Sequence, residues 1–235
     1  MTDRQSLLSV RGLNAWYDES HILHGVDLEV REGETVTILG RNGMGKTTLF
    51  KSLIGMIPCS GGEITFNNKE LSKLQSYQRV ASGIAYVPQG RMVFPTLTVE
   101  ENIMAGLEVT GRRKVPDDIY ELFPVLLEMR HRKAGNLSGG QQQQLAIGRA
   151  LAADPKVLLL DEPTEGIQPS IIKQLATTLN EIKQMRKISI VVSEQVLSFA
   201  LNVADRMLVI DKGQIVHEAV GEQIDKAHIS SYLSV

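Results

Sequence analysis

The sequence predicts an α/β protein built on a mostly parallel sheet. Three apolar stretches carry that expectation: TVTIL at 35–39, VLLL at 157–160 and ISIVV at 188–192. Each is too continuously apolar for a strand with one wet face, and helical patterns separate them, as in sheets covered by helices on both sides.

The elements follow in order. Val26, Leu28 and Val30 alternate with polar residues ahead of the turn residues Arg31, Glu32, Gly33 and Glu34, so a strand with one exposed face comes first. Residues 35–39 run directly into glycines, and 48–54 has helical character. Ile64 with Phe66, and then 84–87 stopped by Pro88, mark two more strands. From 96 to about 135 the character changes: VEENIMAGLEV and DDIYELFPVLLEMRHR each read as an amphipathic helix, with no strand between them. Ile171, Leu175, Leu179 and Ile182 give 170–185 a helical stripe that packs on the sheet. MLVIDKGQIVHE places Asp211, Lys212 and Gly213 between two apolar segments, a hairpin signal. The N-terminal strands and the 207–218 hairpin are expected to form an antiparallel side sheet. The reading is one domain over residues 1–235, with a helical subdomain inserted at about 96–150.

Bulk properties exclude several classes. With 43% hydrophobic and 22% charged residues the composition is that of a globular protein, and a net charge of -2 argues against a nucleic-acid partner. The basic clusters at 112–114 and 130–133 read as solvated faces. Cys59 is the only cysteine, so no internal disulfide can form, and it reads as a small buried hydrophobe. The N-terminal MTDRQSLLSV lacks a signal-peptide core, and no apolar run approaches the roughly 20 residues that cross a bilayer. Any membrane role must come through a partner.

GRNGMGKT at 40–47 fits G-x-x-x-x-G-K-[ST], between a strand and a helix, where the motif works. Gly40, Arg41, Asn42, Gly43, Met44, Gly45, Lys46, Thr47 and Thr48 are therefore assigned to phosphate binding: backbone N–H groups wrap the oxygens, Lys46 supplies charge between the β and γ phosphates, and Thr47 can ligate Mg²⁺. VLLLDEP at 157–163 supplies the acidic strand. Asp161 ends a buried run, where a lone carboxylate is costly without a cation, and Glu162 is expected to point the other way, toward a water. A kinase or GTPase with a soluble acceptor competes with an ATPase that moves partners. No Asn-Lys-x-Asp segment for guanine is present.

NLSGGQQQQLAIGRA at 136–150 decides between them. Ser138 can cap a helix whose first N–H groups the glycines leave bare, a second anion-seeking helix start in one chain. LSGGQ at 137–141 resembles the signature sequence of ATP-binding-cassette (ABC) ATPases, and the resemblance covers essentially the whole chain. It implies that two domains meet head to tail, with Ser138, Gly139, Gly140 and Gln141 of one closing over the γ-phosphate held by the other. It further implies that Tyr17, with Trp16 beside it as a rival, stacks on adenine; that Gln89 touches Mg²⁺ and senses the membrane partner; that Thr47, Gln89 and Asp161 hold the metal; and that Glu162 polarises the attacking water with Lys46 and Gln195 as its catalytic companions. ATP and Mg²⁺ are the implied cofactors, and the helical insert is the implied grip on transmembrane subunits.

Two positions depart from the family pattern. Gln195 stands where a His usually meets the γ-phosphate, and it cannot carry a positive charge. Gln168 stands where the loop after Glu162 usually ends in Asp, which bears on communication between nucleotide sites. GRNGMGKTT, VPQGRMVFP, LTVEENI, DEPTEGIQP and SEQ resemble ATP-binding subunits of bacterial importers for branched-chain amino acids, amides and urea, with Gln89 and EGIQP leaning to the urea type. That implies an ATPase on the cytoplasmic face of the membrane, peripherally attached. Its partners would be a second cassette, related or identical, transmembrane permeases and, indirectly, an external substrate-binding protein. No C-terminal regulatory domain of the kind some sugar importers carry is expected. The alternative is a cassette ATPase outside transport or for another cargo.

Overall fold

The computed structural model describes residues 5–17, 19–221 and 224–233. In chain order the elements are β1 (Ser6–Tyr17), β2 (Ser20–Arg31), β3 (Thr35–Leu39), α1 (Lys46–Leu53), β4 (Cys59–Phe66), β5 (Lys69–Glu70), α2 (Ser76–Ala81) and β6 (Ile84–Val87). A helical stretch follows, with α3 (Val99–Ala105), α4 (Asp117–Leu122), α5 (Pro124–Glu128) and α6 (Gly139–Ala152). The chain then returns to β7 (Val157–Asp161), α7 (Pro169–Arg186), β8 (Ser189–Glu194), α8 (Leu197–Val203), the hairpin β9 (Arg206–Asp211) and β10 (Gln214–Val220), and α9 (Lys226–Leu233).

The strands form two sheets, a larger one ordered β10-β9-β3-β8-β7-β6 and a smaller one ordered β2-β1-β4-β5. In the larger sheet β6, β7, β8, β3 and β9 run parallel, and only β10 is antiparallel. Every residue of β3, β7 and β8 is buried, the signature of strands covered on both faces. Alternation still sorts these apolar runs. Leu158 and Leu160 join a core shared with α3, α6 and α7, whereas Val157 and Leu159 join the core beneath the smaller sheet and α1.

The smaller sheet is antiparallel and N-terminal, as read from the alternation in β2. The 207–218 hairpin, however, does not belong to it. β9 pairs in parallel with β3, register Val36 to Arg206 through Leu39 to Val209, and so extends the larger sheet. Its apolar run MLVI needs two covered faces, and α8 and α9 cover the side away from α1 through Ala200 and Ile229. The stretch DDIYELFPVLLEMRHR is likewise two short helices instead of one. Phe123 leaves the helical region at φ -133°, and Pro124, which has no N–H to donate, starts α5.

Asn102, fully buried on α3, fixes the segment that enters this helical region. Its side-chain oxygen accepts from Phe94 N–H (2.8 Å), and its amide donates to the carbonyls of Phe94 (3.0 Å) and Thr98 (2.9 Å). Cys59 is half-buried at the start of β4, and burial pushes its thiol up, away from thiolate chemistry. Among the described residues no helix is long and apolar enough to cross a membrane.

Candidate nucleotide site

The site gathers at the C-terminal edge of the parallel strands, where β3, β7 and β8 end side by side. β3 delivers the chain to Gly40, whose backbone passes so close to β9 that a Cβ there would sit 2.7 Å from the Ile210 carbonyl oxygen. Gly45 closes the loop in a left-handed conformation, φ 104°, and serves as N-cap of α1 without a side chain over the first N–H groups. Residues 40–45 thus form an open backbone loop in front of a helix start, with Thr47 and Thr48 in the first turn. The turn after β9 props this loop: Gly213 N–H donates to the Met44 carbonyl (3.0 Å), and His24 N–H donates to the Gly213 carbonyl (3.0 Å). Arg41 faces Asp211 across 3.9 Å at the surface.

Lys46 folds back into the loop. Its buried ammonium donates to the carbonyls of Gly40 (2.7 Å) and Arg41 (3.0 Å) and pairs with Glu162 Oε1 at 2.9 Å. Glu162 has φ 45°, so strand alternation ends at Asp161 and the carboxylate turns onto Lys46. Its other oxygen accepts from Gln195 Nε2 (3.0 Å), which also donates to Asn42 Oδ1 (2.7 Å). Lys46, Glu162, Gln195 and Asn42, from three separate segments, therefore form one connected polar cluster. Asp161 lies beside it, nearly fully buried, accepting from the Ser193 hydroxyl (2.6 Å) and the Tyr86 hydroxyl (3.1 Å). Burial, reinforced by the Asp161 charge, drives the Tyr86 phenol strongly upward, so it stays a donor.

Gln89 is exposed just beyond β6, whose register with β7 sets Val87 opposite Leu160, so the chain leaves the sheet next to Asp161. Tyr17 is exposed at the end of β1. Trp16 stacks on His21 at 4.3 Å between centroids, which occupies one indole face and leaves Tyr17 the less committed ring. Ser138, Gly139, Gly140 and Gln141 open α6. The Ser138 hydroxyl accepts from Gln141 N–H, and the Gln141 side chain accepts from Ser138 N–H, a capping box. Among the described residues no hydrogen bond or ion pair joins 138–141 to residues 40–48 of the same chain. The two anion-seeking helix starts are separate features.

Sequence reasoning missed three side chains that organise these loops. Arg91, φ 67°, donates to the carbonyls of Glu165 (2.7 Å) and Gly166 (3.3 Å) and lies against Gly139, tying the segment after Gln89 to the loop after Glu162. Arg149 of α6 donates to the Met92 carbonyl (2.7 Å) and covers the Phe94 ring at 4.9 Å. Glu194 is buried at the end of β8 and binds backbone N–H groups. Partners that are main-chain atoms distant in sequence leave no local pattern. The one usable signal was a carboxylate closing the apolar run ISIVVSE.

Chemically, the cluster combines a buried cation, a carboxylate able to take a proton and an amide that bridges that carboxylate to Asn42. Truncating Gln195 to Ala should lower turnover roughly ten- to a hundredfold, the worth of about 1.5–3 kcal/mol for a hydrogen bond to a charged group. Steady-state phosphate release by the Ala, His and native forms checks it. Equal rates in all three would show the position idle.

The chain matches the family model described as ABC transporter over residues 23–165. It is 41% identical over 218 residues to the high-affinity branched-chain amino acid transport ATP-binding protein BraG of Pseudomonas aeruginosa, covering 92% of this chain and 93% of that one. It is 34% identical to a probable branched-chain amino acid transport ATP-binding protein, LivF, of Archaeoglobus fulgidus, covering 90% and 91%. Among solved structures, a nucleotide-free ATP-binding cassette from an ABC transporter superposes with a TM-score of 0.83 at 27% identity, covering 97% of this chain and 95% of that one.

Proposed function

Because the chain belongs to the ABC transporter family, as an ATP-binding ATPase subunit, we propose that it works in pairs, closing head to tail on ATP to drive import through permease partners. The observation that supports this reading most is the bare glycine start of α6, built to receive an anion and unconnected to the chain's own phosphate loop.

In the proposed cycle Lys46 exchanges its Glu162 partner for phosphate oxygens. Glu162, freed, accepts a proton from the water that attacks the γ-phosphorus, and ADP and phosphate result. Gln195 orients that carboxylate and donates its amide hydrogen toward the phosphate. Of residues Ser138, Gly139, Gly140 and Gln141 of the second subunit, the two glycines aim N–H groups at the developing charge, and the Ser138–Gln141 capping box holds the helix start that presents them. Thr47, Asp161 and Gln89 would hold Mg²⁺. One carboxylate and a hydroxyl fit an ion that keeps waters and phosphates as its other ligands, and its chemistry there is to neutralise the phosphate charge. Tyr17 would stack on the base.

The permease partner would meet the surface around Gln89, where Met92 (67% exposed) and Phe94 (48% exposed) present apolar side chains braced by Arg149 and Asn102. The subunit would then sit at the cytoplasmic face of the membrane, held only by its partners, with an external substrate-binding protein acting on the far side. Branched-chain amino acids are the proposed cargo, since both relatives named above carry that description. Urea and short amides are the second reading, carried by Gln89 and the EGIQP segment.

Uptake of labelled leucine and labelled urea by cells with and without the chain separates the readings. Leucine uptake should fall about tenfold or more, to a level set by other carriers. Loss of urea uptake alone would select the second reading. Loss of neither, with no permease co-purifying, would overturn the transport assignment.

A further inference from the structure

Glu194 ends β8 with 2% of its surface exposed, and it takes no part in the cycle proposed above. Its partners all donate. One oxygen accepts from Thr164 N–H at 3.1 Å, and the other from Gln195 N–H at 3.0 Å and Val196 N–H at 3.2 Å. The Thr164 side chain bonds to it as well. Burial pushes this carboxyl above the ordinary carboxylate range, and the four hydrogen bonds work against that shift by favouring the charged form.

The placement of those partners gives the contact its meaning. Thr164 lies two positions beyond Glu162, on the loop that Arg91 holds at Glu165 and Gly166, and Gln195 is the next residue after Glu194. The adjoining Ser193 takes the Glu162 N–H on both its carbonyl (3.1 Å) and its hydroxyl (3.0 Å). One buried carboxylate thus joins the backbone downstream of Glu162 to the backbone that carries Gln195. Resting on the reading of Glu162 and Gln195 as the reacting pair, we propose that Glu194 is a positioning residue for ATP hydrolysis, holding the Glu162 carboxylate and the Gln195 amide in register.

A glutamine in its place has one acceptor oxygen, so its NH₂ must face either Thr164 N–H or the Gln195 and Val196 N–H groups. Whichever end is lost, the two loops come apart. For Glu194→Gln in the full chain, with saturating ATP and Mg²⁺, kcat should fall roughly ten- to a hundredfold while KM for ATP moves less than about twofold, because what is lost acts in the transition state and not on ground-state binding. Thr164→Val removes only the hydroxyl and should cost about threefold in kcat. The double variant should be no slower than Glu194→Gln alone, since both act through one clamp.

A Glu194→Gln kcat within twofold of the parent, a KM that rises as kcat falls, or losses that multiply in the double variant would each overturn the proposal. Should Glu194→Gln fail to fold, the Thr164→Val rate decides, and an unchanged kcat there overturns it. Glu162→Gln run alongside separates the two levels of inference. If that variant hydrolyses ATP at the parent rate, the underlying site reading fails; if it is dead and Glu194→Gln is normal, only the clamp does.

Discussion

Glu162→Gln should reduce ATP turnover by about 10²–10⁴-fold while leaving ATP binding in place. The geometry gives the reason: the Glu162 carboxylate is the described proton acceptor that contacts both Lys46 (2.9 Å) and Gln195 (3.0 Å), and an amide cannot take a proton from water at neutral pH. The change also removes the ion pair that engages Lys46, so the lysine meets phosphate without first giving up a charged partner. ATP should then accumulate uncleaved between two chains, and gel filtration with ATP and Mg²⁺ should resolve a species of twice the mass. A variant that stays monomeric at saturating nucleotide would count against the paired mechanism, and one that still turns over would remove Glu162 from the catalytic role.

Gly139→Val keeps its N–H but sets an isopropyl group in front of it, and holding the phosphate off that donor should lower hydrolysis by about 10²–10³-fold, the effect of losing one well-placed donor to a developing oxyanion. In the single chain a Cβ at this position would meet Arg91 Nη1 at 3.2 Å and the Gly166 carbonyl oxygen at 3.3 Å; the flexible guanidinium can give way, and the loop at Gly166 must shift slightly. No hydrogen bond or ion pair joins residues 138–141 to residues 40–48 among the described residues, so the chain's own phosphate loop is preserved. Nucleotide affinity of the isolated subunit, read by titration with a fluorescent analogue, should change less than about twofold. Mixing is the sharper measurement. A Gly139→Val chain has an intact Glu162, and a Glu162→Gln chain has an intact α6 start, so a mixed pair contains one complete site and should regain hydrolysis that neither variant has alone. No recovery, or an equal fall in binding and hydrolysis, would place residues 138–141 outside the partner's pocket.

How much of this could be read in the sequence depends on where each residue finds its partners. The phosphate loop was legible because its chemistry is local: glycines for the bend, then Lys46 and Thr47 on the helix they open. The Ser138 cap was legible for the same reason, though its reciprocal partner Gln141 emerged only in the structure. The 207–218 hairpin was assigned to the wrong sheet because hairpins announce their own pairing and say nothing of the third strand. That strand is β3, far upstream, and only the apolarity of both faces of β9 hinted at it. Pro124 was passed over inside an amphipathic pattern that continues across the break, since side-chain periodicity survives a change of helix axis better than the backbone does. Arg91 and Asn102 were invisible, and Glu194 showed only as a carboxylate closing an apolar run, because each satisfies main-chain atoms, which every residue type offers alike.

β3, the strand that launches the phosphate loop, is flanked by β8 and β9, and the loop itself leans on the turn after β9 through Gly213 and Met44. Its supports are thus drawn from segments far downstream of it, β8 (Ser189–Glu194) and β9 (Arg206–Asp211) with the turn that follows. During synthesis the early segment leaves the ribosome long before its neighbours exist, and contacts of such high sequence separation form late. A nascent chain stopped short of the final hairpin would hold the full glycine-lysine motif and still have no rigid place to dock a triphosphate. Possession of ATP therefore reports that the β9–β10 hairpin has been made and has docked.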